Sequence, residues 1–343
     1  MFAGIDVGGA NTKVATSATD GFIDTIYAPL WKNKAILYDV LLEVKQKFEI
    51  GAQAGIEAVG VVMTGELCDC FTTKREGVLH IKKTLSRVFK NVKFFDIDCA
   101  FRDGSEVDKD PLSFASTNWL ASAKLLSEQY KDAIFIDIGS TTTDVIPIVR
   151  GEIKAKRTDL GRLKFGELIY SGVLRTNLAT LLKKVEIGEK GENCRTSSEL
   201  FAITADAYRV LGYLNKDDYR CESPDSHAFA GRENEGKSRI SAMRRLARVV
   251  CCDLEEIGED SVVSIAEQVK EAQVAELVAS MKSMKQKYEL KMVVSAGIGD
   301  FIVKEAADLL NIEFLSLSSR YGKEISAVFP AYAVTKLLEQ TFS

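Results

Sequence analysis

A chain of 343 residues exceeds the ~250–300 residues that one hydrophobic core usually organises, so two domains are expected. With 46% hydrophobic residues, 27% charged residues and a net charge of -4, it has the composition of a globular protein, and nothing points to nucleic acid or an anionic membrane as a partner. No apolar run reaches the ~18 residues of a membrane span, so no membrane partner is expected.

Other counts narrow the chemistry. Seven cysteines are odd in number and lack framework spacing, which points to a reduced, cytoplasmic compartment. The N-terminal residues lead into a strand with no charged leader, so no secretion signal is expected. His80 and His227 are the two histidines, which excludes a multi-histidine zinc site.

In chain order, residues 2–7 read as a strand, 8–13 as a polar turn and 14–18 as a second strand. Asp20-Gly21 predicts a hairpin turn before a third strand over 22–27. Apolar positions at helical spacing (Ile36, Leu37, Val40, Leu41, Val44, Phe48) predict a helix over 35–50. A strand at 56–63, a polar loop at 69–77, a helix at 78–90, a strand at 92–97 and a helix at 112–130 follow. Strands alternating with helices predict an α/β fold. The second half predicts three strands between 134 and 156, then helices at 163–182, 197–214, 239–252 and 261–287. Residues 185–196 read as a charged loop, and 215–237 as a long irregular segment of the kind that forms a lid or binding loop. Strands at 291–295 and 314–317, with helices after 300 and at 327–338, end the chain.

The most telling stretch is residues 134–144: an apolar strand carrying Asp137, then Gly139, four hydroxyl residues and Asp144. Small residues let a ligand approach the backbone, hydroxyls and turn N–H groups suit phosphate oxygens, and a carboxylate can hold a metal ion against them. Shifted by 131, residues 6–14 fall on the same pattern: Asp6 on Asp137, Gly8 on Gly139, Val14 on Val145. This is an internal duplication with a period far too long for a solenoid. It predicts two similar domains facing each other, each offering one phosphate turn.

Three signatures then carry a resemblance. Asp6-Val-Gly-Gly-Ala-Asn-Thr-Lys13 resembles the first phosphate loop of the acetate and sugar kinase, heat-shock chaperone and actin superfamily. Asp137-Ile-Gly-Ser-Thr-Thr-Thr-Asp144 resembles its second phosphate loop, and Val293-Val-Ser-Ala-Gly-Ile-Gly299 its adenosine motif. The resemblance implies duplicated ribonuclease H-like domains with a cleft between them. The first spans 1–130 and is completed by the C-terminal helix 326–343; the second spans 131–325, with a helical insertion at about 163–290.

The second loop and Gly166-Glu-Leu-Ile-Tyr-Ser-Gly-Val-Leu-Arg-Thr176 are closest to the hydantoinase A and oxoprolinase group. Met63-Thr-Gly-Glu-Leu67 with Asp69 and Phe71, Asn118-Trp119, Ala205-Asp-Ala-Tyr-Arg-Val-Leu-Gly212 and Arg245-Leu-Ala-Arg248 resemble a smaller branch, the condensing enzymes of methanofuran biosynthesis. That resemblance implies joining an aminomethyl-furanmethanol diphosphate to γ-glutamyltyramine, with diphosphate released and a phenoxymethyl ether formed. It implies small-molecule substrates, Mg²⁺, and a nucleotide-like pocket whose ATP is not expected to be consumed. A homodimer is compatible with it. The alternatives are an ATP-dependent small-molecule kinase of pantothenate-kinase type, a hydantoinase-type ATP-using enzyme, and a non-catalytic nucleotide-binding sensor.

The candidate residues follow. Asp6 and Asp137 are expected to hold the metal and take part in catalysis, against the simpler reading of carboxylates capping their own turns. Gly8, Gly9, Asn11, Gly139, Ser140, Thr141 and Thr142 are expected to cradle phosphate. Lys13 either reaches the phosphate or is a solvated strand residue. Asp69 and Asp98, with Asp103, follow strand ends where ligands gather in open α/β sheets; one of them is the expected base for the phenol, against turn or cap roles. Asn118, Glu167 and Arg175 are substrate candidates, and Trp119 reads as core. Ala296, Gly297 and Gly299 line the nucleotide-like pocket or only shape the cleft. Asp206 and Arg209 are spaced to pair, Arg244, Arg245 and Arg248 read as a solvated basic face or an anion site, and the Cys68/Cys70 and Cys251/Cys252 pairs read as small core residues.

Overall fold

The computed structural model describes residues 1–17, 21–51, 55–188, 191–224 and 233–343. Its contacts divide the chain into two units. One comprises 1–135, 146–165 and 316–343; the other comprises 136–145 and 166–315.

Fourteen strands are present among the described residues. They are β1 (Phe2–Val7), β2 (Asn11–Thr16), β3 (Ile23–Tyr27), β4 (Ala58–Met63), β5 (Val92–Phe95), β6 (Phe101–Arg102), β7 (Ala133–Ile138), β8 (Thr143–Val149), β9 (Glu152–Ile153), β10 (Leu168–Ile169), β11 (Lys184–Ile187), β12 (Glu192–Arg195), β13 (Met292–Gly297) and β14 (Glu313–Ser316). One six-stranded sheet runs β3-β2-β1-β4-β5-β6, and the other runs β10-β8-β7-β13-β14 with β9 on β8. In the first sheet β1 pairs antiparallel with β2 and parallel with β4, and β4 is parallel to β5. β1 and β4 are buried along their whole length, which explains why they read as unbroken apolar runs rather than alternating ones.

Helices Ile36–Gly51 and Lys74–Val88 supply Leu37, Leu41, Val44, Val78, Ile81 and Leu85 to the core beneath this sheet. Each such aliphatic side chain contributes roughly 1.5–3 kcal/mol on full burial. The C-terminal helix Phe329–Phe342 lies directly on β1: a Cβ on Gly4 would come within 2.1 Å of the Ala331 carbonyl. Thr335 Oγ1 donates to the Ala15 carbonyl on β2, so the last helix returns to the first strands.

Several predicted elements differ. The helix expected at 163–182 is instead helix Asp159–Lys164, strand β10, a loop and the single turn Leu178–Leu181. Gly166 takes a left-handed φ of 69°, which ends any helical continuation. In place of the expected loop at 185–196, Lys184–Ile187 and Glu192–Arg195 pair antiparallel as β11 and β12. The helix at 197–214 shrinks to Thr204–Val210, and that at 112–130 to a 3₁₀ turn, Pro111–Phe114, followed by helix Asn118–Gln129. The long helix starts earlier, as Leu254–Tyr288, with a break at Gly258. Asp20 of the predicted hairpin and residues 225–232 of the irregular segment lie outside the described residues. The seven cysteines form no disulfide; Cys221 is buried, Cys68, Cys70, Cys99, Cys194 and Cys252 are half-buried and Cys251 is exposed, so of the two pairs Cys68 and Cys252 pack against the edge of a core while none is fully buried.

Candidate active site

β1 ends in Asp6-Val7 and turns at Gly8-Gly9-Ala10 into β2. Gly8 N–H donates to the Asn11 carbonyl at 3.0 Å, closing the turn. A Cβ on Gly8 would lie 2.8 Å from that same oxygen, so this position requires glycine. Asp6 faces Lys13 across the β1–β2 ladder, is 4% exposed, and shares this burial with Asn11 and Thr12. Thr64-Gly65, directly after β4, closes over the turn. Thr64 N–H donates to the Val7 carbonyl at 2.9 Å, and a Cβ on Gly65 would meet the Gly8 carbonyl at 3.0 Å.

In the second unit β7 ends in Asp137-Ile138 and turns at Gly139 to Thr142 into β8. Gly139 N–H donates to the Thr142 carbonyl at 2.9 Å, the same bond at the duplicated position. The outer side of this turn is fastened by residues 172–175. Val173 N–H donates to the Gly139 carbonyl, and both Leu174 and Arg175 N–H donate to the Ser140 carbonyl, all at 3.0 Å. A Cβ on Gly172 would stand 2.6 Å from the Thr141 nitrogen. The Gly172 carbonyl in turn accepts from Thr204 Oγ1 at 2.9 Å and Gln273 Nε2 at 3.1 Å, and Gln273 accepts from the Tyr208 hydroxyl.

Ala296 and Gly297 end β13, Gly299 follows it, and the two glycines pack against the end of β7. Gly297 has a φ of 87°, and a Cβ there would sit 2.3 Å from the Ile138 carbonyl and 2.5 Å from Asp137 Oδ1. Gly299 would clash with Ile138 in the same way, at 2.6 Å. Both glycines are therefore demanded by close packing beside Asp137. Glu167 is buried, and its carbonyl accepts from Val145 N–H on β8.

The remaining candidates have local partners or exposed positions. Asp98 is an exposed partner of Arg157, and Asp103 an exposed partner of Lys93. Asp69 lies exposed in the turn after the 3₁₀ segment Gly65–Leu67. The Asn118 side chain accepts from the Trp119 N–H at 2.8 Å, at the start of its helix. Asp206 does not pair with Arg209. It is fully buried against Arg245 at 2.5 Å, accepts from the Tyr219 hydroxyl, and caps its helix through the Ile203 N–H. Burial, with Asp206 beside it, pushes the Tyr219 hydroxyl well above its usual range. Arg245 is thus the buried half of an ion pair rather than part of a solvated face.

Residues not singled out by their sequence complete the first unit. Glu66 is fully buried, and burial pushes its carboxyl above the usual carboxylate range, partly offset by polar contacts with its own backbone and Ser116. Ser116 Oγ lies 2.9 Å from Glu66 Oε1 and 2.7 Å from Asp159 Oδ2, and Lys74 Nζ lies 2.9 Å from that same Asp159 oxygen. Arg162 is buried with its guanidinium 4.4 Å over the Trp119 ring, so Trp119 is a platform for a cation. The one sequence signal for Glu66 is an acid just past a strand end, in Met63-Thr-Gly-Glu-Leu67.

The implied Mg²⁺ can be judged against these residues. Among the described residues no group of three or more His, Cys, Asp or Glu could form an all-protein metal cage. Asp6 and Asp137 are nearly buried carboxylates, each at a strand end beside a glycine turn. Each is a donor of the kind that Mg²⁺ takes, since that ion binds one or two carboxylates and fills its other positions with water and phosphate oxygens.

The hydantoinase/oxoprolinase family profile matches residues 57–341. The chain is 38% identical, over 99% of its length and 98% of the relative's, to (4-{4-[2-(gamma-L-glutamylamino)ethyl]phenoxymethyl}furan-2-yl)methanamine synthase of Methanocaldococcus jannaschii. It is 37% identical to the Methanococcus vannielii protein of that name, over 61% of this chain and 91% of the relative. Among solved structures, the ethanolamine utilization protein EutJ from Carboxydothermus hydrogenoformans aligns over 98% of this chain and 88% of its own, with a TM-score of 0.49 and 13% identity. The chain therefore belongs to the hydantoinase/oxoprolinase family and, within it, to the group of these furan-methanamine synthases, which are enzymes.

Proposed function

We propose that this chain joins the methylene carbon of an (aminomethyl)furanmethanol diphosphate to the phenol oxygen of γ-glutamyltyramine. The carbon–oxygen bond to diphosphate breaks, diphosphate leaves with the electron pair, the aryl ether forms, and the phenol proton is lost. The observation that carries this reading is the 38% identity to a named synthase across 99% of the chain. The geometry supports it in kind: two hairpin turns of the same construction, each beside a buried aspartate.

In this reading each turn supplies donors to phosphate oxygens, and Ser140, Thr141 and Thr142 add hydroxyls. Donors held rigidly by the fold stabilise charge that gathers on a departing diphosphate, because they need no reorganisation as it leaves. The fastening of residues 172–175 onto Ser140 keeps the second turn rigid. Asp6 and Asp137 would hold Mg²⁺, which when bound neutralises diphosphate charge. The furan ring delocalises positive charge at its methylene carbon, so a phenol of ordinary pKa ~10 can attack. No ATP is consumed, and any nucleotide-like turn near Gly297 serves shape.

The test is purified protein with both substrates and Mg²⁺, with and without ATP, following ether by mass spectrometry and diphosphate by enzyme-coupled detection. Equal ether and diphosphate without ATP is expected. Turnover that requires ATP and releases ADP would replace this reading with a kinase-like or hydantoinase-like one.

A further inference from the structure

The arrangement of Glu66, Ser116, Asp159 and Lys74 raises a question of proton counting. A serine hydroxyl has one proton. Ser116 Oγ nevertheless sits within hydrogen-bond distance of two carboxyl groups, Glu66 at 2.9 Å and Asp159 at 2.7 Å. Were both carboxyls ionised, one would face a serine lone pair. One of them therefore carries a proton. Lys74 places its ammonium on Asp159. Glu66 has 0% exposure, and its burial outweighs the pull of the Lys74 charge, so the proton belongs on Glu66. The chain of donors then runs in one direction: Glu66 Oε1–H to Ser116 Oγ, and Ser116 Oγ–H to Asp159 Oδ2.

Two further features single out Glu66. Its other oxygen, Oε2, is buried with no hydrogen-bond partner among the described residues, which in a folded interior is costly unless something occupies it. Its position is also set from both sides. Gly65 packs on the Gly8 carbonyl of the first turn, and a Cβ on Gly77 would stand 2.3 Å from the Glu66 carbonyl. Ser116 holds a left-handed φ of 52°, unusual for a residue with a side chain. Asp159 and Lys74, at the far end, are about one-fifth and one-third exposed, so that end meets solvent.

We infer that Glu66, Ser116 and Asp159 form a proton relay that takes the hydroxyl proton of the acceptor substrate from beside the first turn to solvent. The inference rests on the condensation proposed above. As the acceptor oxygen bonds to carbon, its proton passes to Glu66 Oε2. Oε1 releases its own proton to Ser116, which passes one to Asp159. The electron pair of the broken bond leaves with diphosphate, and Glu66 returns to its starting protonation state with the proton on its other oxygen. Lys74 and Arg162, whose guanidinium lies 4.0 Å from Asp159, are the cations facing the acceptor end.

The test combines an infrared pH titration with steady-state kinetics on wild type, Glu66→Gln, Ser116→Ala and Asp159→Asn. A protonated-carboxyl band that persists above the ordinary carboxylate range, disappears in Glu66→Gln and shifts in Ser116→Ala is expected. Glu66→Gln, which keeps the shape, should lower kcat roughly 10²–10⁴-fold with KM within about threefold. Ser116→Ala should lower kcat and alter its pH profile, a change that a purely structural role would not produce. A carboxyl band that titrates in the ordinary range, or a folded Glu66→Gln enzyme within about tenfold of wild type, overturns the relay. If the wild-type chain forms no ether, the substrate reading falls, and the infrared band still decides whether the relay exists.

Discussion

In the turn after Asp6, the Gly8 N–H donates to the Asn11 carbonyl; 131 residues on, Gly139 donates to Thr142 in the same way. The hydrogen bond is duplicated, but the surroundings are not. Gly8 has no room for a Cβ, with the Asn11 oxygen at 2.8 Å, whereas a Cβ on Gly139 would meet the Thr142 carbonyl at a comfortable 3.6 Å. Lys13 follows the first turn where Asp144 follows the second. The first turn is flanked by a strand end carrying a buried glutamate whose carboxyl burial pushes above the usual carboxylate range. The second is fastened by three backbone bonds from residues 173–175 and, behind them, by Thr204 and Gln273. The turn is thus the same in both copies while its support differs: one copy lies beside a buried carboxyl cluster, the other beside a hydrogen-bonded buttress.

That contrast can be broken most severely through the buttress. Asp206 caps the helix that begins at Thr204 and is paired at zero exposure with Arg245. Removing one partner leaves an uncompensated buried charge, so Arg245→Met should cost about 3–5 kcal/mol in urea unfolding. Asp206→Asn with Arg245→Met should recover part of that loss.

The glycines sharpen the comparison at intermediate cost. Gly8→Ala and Gly172→Ala each force an atom into a filled space and should cost about 1–3 kcal/mol. Gly139→Ala meets only ordinary contact and should fall within about 0.5–1 kcal/mol of wild type. Equal losses at Gly8 and Gly139 would mean that the two turns are not packed differently.

The smallest expected effect is a pH slope. Glu66 binds its proton more tightly folded than unfolded, because burial disfavours its charged form. Its contribution to stability is full below the unfolded pKa of ~4.3 and declines as pH rises through the higher folded value. Glu66→Gln should therefore remove part of the wild-type decline above that pH, measured as unfolding free energy across a pH series. A parallel pH dependence in the two proteins would contradict a protonated Glu66.

Much of the fold was legible because strands and turns are local. The apolar runs of β1, β4, β7 and β13 and the glycine turns lie within a few residues, and the repeat at 131 shows in the residue types themselves. Helix extents were less legible. The apolar spacing over 163–182 looked helical, while Gly166 and the tight approach of Gly172 to Ser140 impose a loop that only tertiary packing explains. The Glu66 cluster was hidden for the same reason: its members lie 50 and 43 residues apart in pairs. Arg245 looked like one of three surface arginines until its partner, 39 residues away, was in view.

In the proposed condensation each duplicated turn contributes to diphosphate binding through the aspartate beside it. Calorimetric titration of inorganic diphosphate with Mg²⁺ into wild type, Asp6→Asn and Asp137→Asn tests it directly. Each substitution is predicted to weaken binding by at least about tenfold, a loss of ~1.4 kcal/mol. Wild-type affinity in either variant, with the fold intact, would contradict the claim.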